Sequence, residues 1–144
     1  MTELTITEST EMYLKEIYLL SRDEGRAKTG SIADRLGVSP PSVTEKLSAL
    51  EEAGLVEYEK YKGASLTPDG EETAENVLQK HCLVERFLVK FLGVEENFHE
   101  EACRIEHVMS DDVAGELGDI VDQKPECPSC YDASKGHCAA LFTS

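Results

Sequence analysis

The chain has 144 residues, 40% of them hydrophobic, and sets 14 basic against 29 acidic side chains for a formal net charge of −15. That suffices for one medium domain or two small ones sharing a core, and no run of 18 apolar residues is present to span a bilayer. Residues 1–75 carry 8 basic and 16 acidic groups and residues 76–144 carry 6 and 13, which excludes an acidic tail and a global positive field, so any nucleic-acid contact must be local.

The start of the chain, Met1 to Thr5, has neither the cationic nor the apolar region of a signal peptide, and a cytoplasmic protein is expected. Even acidity of this kind is consistent with a cytoplasm of high ionic strength, where a Debye length of roughly 3 Å at 1 M salt mutes self-repulsion. Tyr13, Ile17 and Leu20 follow at i, i+4 and i+7 and predict an amphipathic helix over Ser9 to Leu20 that ends before Gly25. A short helix is predicted from Ser31 to Leu36, closed by Gly37. Ser39 is a good N-cap and prolines suit a first turn, so a third helix runs from about Pro41 to Ala53 with Val43, Leu47 and Leu50 inward. Leu55 to Lys60 and Ala64 to Thr67 alternate as the strands of a hairpin joined at residues 61–63. Thr67 and Pro68 open a long helix, with Val77, Val84, Leu88 and Phe91 on its buried side and Gly93 at its end. Another is predicted from about Glu95 to Met109, and a last one, capped by Ser110, runs to Val121. After Pro125 no periodicity remains, and an irregular tail is expected.

Helix, short helix, turn, helix and hairpin, in that order over residues 9–67, read as a winged helix-turn-helix. The third helix then enters the major groove by its N-terminal end, bringing Ser39, Ser42, Thr44 and Glu45 nearest bases or phosphates. Arg26, Lys28, Lys46, Lys60 and Lys62 are the local cations for phosphate contact. Ser39 and Pro41 also have a purely structural reading as cap and first turn. Glu45 accepts from a cytosine amino group but repels phosphate.

Five cysteines, at 82, 103, 127, 130 and 138, are an odd number in a reducing compartment and favour metal ligation or reactive thiols over disulfides. His99, Cys103, Glu106 and His107 lie at i, i+4, i+7 and i+8, which makes one stripe of about 12 Å on a single helix. His81 and Glu85 are an i, i+4 pair on the preceding helix, and antiparallel packing brings the two faces together. Imidazole and carboxylate suit borderline divalent ions, and a thiolate shifts the preference toward iron, cobalt, nickel or zinc. In the tail, Cys127, Cys130, His137 and Cys138 have the ligand count of a zinc site; a redox dithiol and a disordered or protein-bound tail are the other readings.

Thr10-Glu11-Met12-Tyr13-Leu14, Lys80-His81 with Glu85-Arg86, and above all Glu101-Ala102-Cys103-Arg104-Ile105-Glu106-His107-Val108-Met109-Ser110-Asp111 resemble the iron-dependent branch of the diphtheria toxin repressor family. The resemblance spans about residues 5–123. It implies a mainly α protein, with a winged helix-turn-helix DNA-binding domain (residues 1–74) followed by an α-helical dimerisation and metal-binding domain (75–124) and the Cys-rich tail (125–144). It implies a primary metal site of Met12, Cys103, Glu106 and His107, an ancillary site of His81, Glu85 and His99, and Ser39, Pro41 and Ser42 at the DNA. The implied function is a homodimeric repressor, activated by Fe²⁺ or Mn²⁺, that binds a pseudo-palindromic double-stranded operator of metal-uptake genes, with no membrane, organic substrate or catalysis. The manganese branch has an Asp where this chain has Met12 and a Glu where it has Lys15, and a thioether suits a hard site poorly, which favours Fe²⁺. Larger relatives add an SH3-like third domain that contributes ancillary ligands, for which this chain is too short. Two other classes remain: a zinc-dependent hydrolase, which lacks an HExxH-like pairing, and a winged-helix regulator that senses thiol oxidation through its tail.

Overall fold

A computed structural model describes residues 7–121 and the backbone of residues 131–132 and 137–138. The chain divides into two compact units, residues 1–74 and 75–144. In the first, α1 (Glu8–Glu24), α2 (Thr29–Leu36) and α3 (Pro40–Glu52) precede a hairpin of β1 (Val56–Glu59) and β2 (Gly63–Leu66). Two of the three helices start at side-chain caps: Thr7 Oγ1 accepts from the Thr10 amide at 3.1 Å to begin α1, and Ser39 Oγ from the Ser42 amide at 3.3 Å to begin α3. Gly37, left-handed at φ 67°, closes α2. The core joins Leu14 and Ile17 of α1, Ile32 of α2, Val43, Leu47 and Leu50 of α3, and Val56 and Ala64 of the hairpin. At about 1.5–3 kcal/mol for each large apolar side chain, this core sets the orientation of α3.

The hairpin pairs Val56 with Leu66 and Glu59 with Gly63. It gains a third partner in Ala27, which exchanges two 2.8 Å backbone hydrogen bonds with Ala64. That bridge needs Gly63: its φ is 107°, and a Cβ there would lie 2.5 Å from the Ala27 carbonyl oxygen.

The long helix α4 (Pro68–Arg86), capped by Thr67 Oγ1 on the Gly70 amide at 3.2 Å, ends in a π-helical turn over Phe87–Phe91. There the Leu92 amide reaches the Phe87 carbonyl at 3.1 Å. One extra residue in the turn rotates the later side chains by about 100°, so Leu88 is half-buried and Phe91 is exposed, where the apolar period predicted both inside. The next helix, α5, covers Phe98–Ile105 rather than 95–109. Asn97, left-handed at φ 62°, blocks its extension backward, and the Val108 and Met109 amides both turn onto the Ile105 carbonyl at 3.1 Å. Glu106 is thus the C-cap of α5 and His107 lies beyond it. The Ser110 hydroxyl accepts from the Val113 amide at 3.2 Å to start α6 (Asp111–Val121). Within the segment expected to be irregular, the described residues form β3 (Tyr131–Asp132) and β4 (His137–Cys138), which pair antiparallel, and the rest of that segment lies outside the described residues. Cys127 and Cys130 lie outside the described residues.

Among the described residues of this second unit, seven buried apolar side chains accompany five buried ionisable ones, Lys80, His81, Glu85, Arg86 and Glu106. Burying charge costs several kcal/mol per ion, so such an interior points to function rather than stability.

Candidate metal centre and nucleic-acid interface

Helical spacing places His81 and Glu85 on one face of α4, and His99 and Cys103 on one face of α5. The two faces meet. His81 Nδ1 lies 2.7 Å from Glu106 Oε2 and 3.8 Å from Cys103 Sγ, while its Nε2 is paired with Glu85 Oε1. Cys103 Sγ lies 3.6 Å from His99 Nε2, and His99 Nδ1 lies 3.8 Å from Glu85 Oε1. The rings of His81 and His99 stand edge to face with centroids 4.9 Å apart. His107 Nε2 is 3.2 Å from Glu106 Oε1, with its side chain 1% exposed.

The six candidate ligands His81, Glu85, His99, Cys103, Glu106 and His107 therefore form one connected cluster. The two groups that the resemblance separates are interleaved: His81 pairs with Glu106, and Cys103 approaches His81 and His99. Burial disfavours charge on His81, but hydrogen bonds with Cys103, Glu106 and Glu85 outweigh it and hold the imidazole well above its ordinary range. Burial likewise pushes Glu85 up, and hydrogen bonds from His81 and His99 reverse the sign and lower it. His99 is raised to about 9, first by its hydrogen bond with Cys103 and then by Glu85. The cluster thus holds protons that a divalent cation can replace. The donor atoms of His81, His99 and Cys103 lie within 4.8 Å of one another, so the set fits a borderline cation.

Met12 sits on α1 in the first unit, exposed at 37%, beside a hollow of about 510 Å³ that Tyr13, Leu36 and Val38 also line. The nucleic-acid candidates share that unit. Ser39, Pro41, Ser42, Thr44 and Glu45 are exposed at the N-terminal end of α3, opposite its buried stripe. Their hydroxyls are locally engaged: Ser39 Oγ and Ser42 Oγ are 2.9 Å apart, and Thr44 Oγ1 donates to the Pro40 carbonyl at 3.2 Å. Lys46 Nζ lies 5.9 Å from the Tyr13 ring centroid, Lys60 Nζ lies 5.3 Å from that of Tyr61, and Lys62 is 3.4 Å from Glu59.

Two features escape the sequence reading. A hollow of about 550 Å³ opens between the hairpin, the start of α2 and α3, lined by Lys28, Thr29, Thr44, Tyr58, Lys60 and Tyr61, with no carboxylate among the described lining residues. The other is a polar brace in the second unit, where Asp111 Oδ1 accepts from Lys80 Nζ at 2.9 Å and Asn76 Nδ2 at 3.3 Å. Neither has a periodic signal, because each joins residues distant along the chain.

Residues 5–64 match the family description "Iron dependent repressor, N-terminal DNA binding domain", and residues 67–132 match "Iron dependent repressor, metal binding and dimerisation domain". The chain is 37% identical over 133 residues to the HTH-type transcriptional regulator MntR of Lysinibacillus sphaericus, covering 90% of this chain and 95% of that one. It is 37% identical over 124 residues to the diphtheria toxin repressor of Corynebacterium glutamicum, covering 85% of this chain but 54% of the relative. Among solved structures, the manganese regulator SloR aligns at TM-score 0.71 and 34% identity over 87% of this chain and 58% of its own. The IdeR of T. acidophilum aligns at TM-score 0.74 and 28% identity, over 90% and 59%.

Proposed function

The chain belongs to the iron-dependent repressor family, and from that premise we propose that it is a metal-activated, DNA-binding transcriptional repressor of metal-uptake genes. The observation that carries the reading is the buried cluster of His81, Glu85, His99, Cys103, Glu106 and His107 in a chain whose other unit is a winged helix-turn-helix. In this reading Met12, Cys103, Glu106 and His107 hold the activating ion, and His81, Glu85 and His99 form the ancillary site. Met12 belongs to the first unit and Cys103, Glu106 and His107 to the second, so an ion held by these four would couple the DNA-reading unit to the helical one. Ser39, Pro41, Ser42, Thr44 and Glu45 face the groove, and Lys46, Lys60 and Lys62 meet phosphates. A homodimer fits the exposed apolar residues Val113 and Ile120 of α6 and Val108 before it, and two recognition helices about one DNA turn apart match a pseudo-palindromic operator.

The thiolate and thioether favour Fe²⁺ over Mn²⁺. Metal and operator are thermodynamically linked, so each raises affinity for the other by the same factor. The tail residues Cys127, Cys130, His137 and Cys138 enter no step of this reading. An anaerobic operator-binding titration with Fe²⁺ and Mn²⁺, with and without chelator, tests it. Metal-stimulated binding reversed by chelator is expected; equal binding by stripped and loaded protein refutes it.

A further inference from the structure

We propose that the tip of the hairpin, Tyr61 with Lys60, enters the minor groove beside the operator half-site and selects A·T base pairs at positions that α3 does not touch. This rests on the DNA-binding reading and adds a specificity determinant to it, since that reading gives the hairpin phosphate contacts alone. The ground for it is the tip itself. The Lys62 amide donates to the Glu59 carbonyl at 3.0 Å and closes a four-residue turn in which Tyr61 stands third. Tyr61 has φ 71° there and Lys60 has no positive φ, which is the type II pattern, and Gly or Asn is the residue that takes this position without steric cost. The turn therefore gives no reason for a tyrosine. Nor does packing: at 93% exposed, Tyr61 is the most exposed of the large hydrophobic residues described. Lys60 Nζ stands 5.3 Å from its ring centroid, so the tip presents an aromatic face and a cation together, the pairing of apolar wedge and basic group that suits a minor groove.

Behind the tip, the hollow of about 550 Å³ gives the bordering strand its place. Lys28 and Lys60 supply charge and Thr29 a hydroxyl, with no carboxylate among the described lining residues, in a chain whose net charge is −15. That local complementarity is what a polyanionic backbone requires. Thr44 lines the same hollow and belongs to the exposed end of α3, so the hollow borders the major-groove surface. The two 2.8 Å bonds between Ala27 and Ala64 tie the hairpin to the start of α2, and the tip is held in position before DNA arrives. With α3 in the major groove and a strand in the hollow, the tip beyond that strand meets the adjoining minor groove. There the bases differ in chemistry. A·T pairs present only acceptors, to which the tyrosine hydroxyl donates, and A-tracts narrow the groove and strengthen the negative potential that attracts Lys60; G·C pairs place an amino group in the way.

The test uses the full chain loaded with Fe²⁺ and an operator that it selects from a random duplex pool, rebuilt with A·T, G·C or inosine·cytosine pairs at the flanks. Inosine keeps the major-groove edge of guanine and lacks its minor-groove amino group. By fluorescence anisotropy, wild-type protein is expected to bind A·T and inosine·cytosine flanks on the order of tenfold more tightly than G·C flanks. Tyr61→Asn, which tolerates a positive φ, brings A·T and inosine·cytosine flanks down to the G·C value and melts no lower than wild type. Lys60→Met narrows the preference and reduces the slope of log affinity against log salt by about 1. Equal binding of the three duplexes by wild type overturns the proposal, as does a preference that survives Tyr61→Asn. Inosine·cytosine flanks that bind like G·C flanks overturn it too, because the preference then belongs to the major groove. Where Tyr61→Asn melts lower than wild type, Lys60→Met decides, and an undiminished preference in that variant overturns the proposal. A flank preference that is the same with and without metal refutes metal activation and leaves the tip assignment standing, whereas failure to bind any duplex refutes the DNA-binding reading and this inference with it.

Discussion

Glu106→Gln keeps the side-chain volume and removes the charge, so it separates packing from ligation. The carboxylate accepts at 2.7 Å from a His81 held in its charged form and lies 3.2 Å from His107 Nε2. Hydrogen bonds to charged groups contribute about 1.5–3 kcal/mol and neutral ones about 0.5–1.5. Exchanging one class for the other at His81, and weakening the contact with His107, costs about 2 kcal/mol. For a chain of this size that lowers the melting temperature of the stripped protein by about 6 °C, at about 3 °C per kcal/mol. Loaded wild-type protein at a hundredfold excess over Kd gains about 2.7 kcal/mol, or about 8 °C. The variant gains nearly none of it, so the loaded proteins differ by about 14 °C. Scanning calorimetry with and without Fe²⁺ under anaerobic conditions measures both differences. A variant that loses stability yet keeps the full metal-dependent gain would show Glu106 to be a packing residue, and the ligand assignment would fail.

Gly63→Ala forces a Cβ within 2.5 Å of the Ala27 carbonyl oxygen at a φ of 107°. It should cost about 2–3 kcal/mol and weaken operator binding through a displaced hairpin; an unchanged melting temperature contradicts this. Ser39→Ala removes the cap of α3 and should cost about 1 kcal/mol, with a further loss of operator affinity visible in a gel shift at saturating metal; affinity equal to wild type removes Ser39 from the interface. Asp111 is held below its ordinary 3.8, first by its hydrogen bond with Lys80 and then by that with Asn76. The stability it contributes is present above the unfolded carboxyl value and is lost as pH falls through the lowered one. Asp111→Asn should therefore destabilise at neutral pH, by no more than about 1 kcal/mol for so exposed a carboxylate, and the difference from wild type should vanish in acid unfolding below that range. A difference that persists at low pH points to helix capping instead.

The elements of the first unit were legible because each carries a local signal. Tyr13 and Ile17 keep helical period, Ser39 and the two prolines mark the start of α3, and alternation marks the hairpin. The structure adds one residue at the start of α1 and four at its end, so that it runs from Glu8 to Glu24, and begins α2 two residues earlier, at Thr29. What failed was tertiary in origin. The π turn after Arg86 moves Phe91 to the surface, and Asn97 shortens α5, and neither departure has a periodic signature. The same division holds for the cluster. Spacing put His81 with Glu85 and His99 with Cys103 on single faces, since a helix fixes i and i+4 neighbours. It gave no access to which donor of α4 meets which donor of α5, and the 2.7 Å contact between His81 and Glu106 spans 25 residues of chain.

The net charge of −15 bears on mechanism as well as solubility. At physiological ionic strength charges beyond about 8 Å are screened, so the proposed DNA face is governed by its own surroundings, where Lys28 and Lys60 line a hollow with no carboxylate among its described lining residues. Glu59, 3.4 Å from Lys62 and 3.8 Å from Arg26, tempers the hairpin cations further. Such a face draws little sequence-independent affinity from phosphates, which is the term that keeps basic repressors on DNA regardless of their ligand state. A low baseline makes a modest coupling effective. The 1–3 kcal/mol typical of linked sites changes affinity about 5–150-fold, and against weak background binding that factor separates a vacant operator from an occupied one. In this reading the acidity of the chain and the buried cluster serve one end, since a repressor held on DNA by charge alone has little for a metal to control.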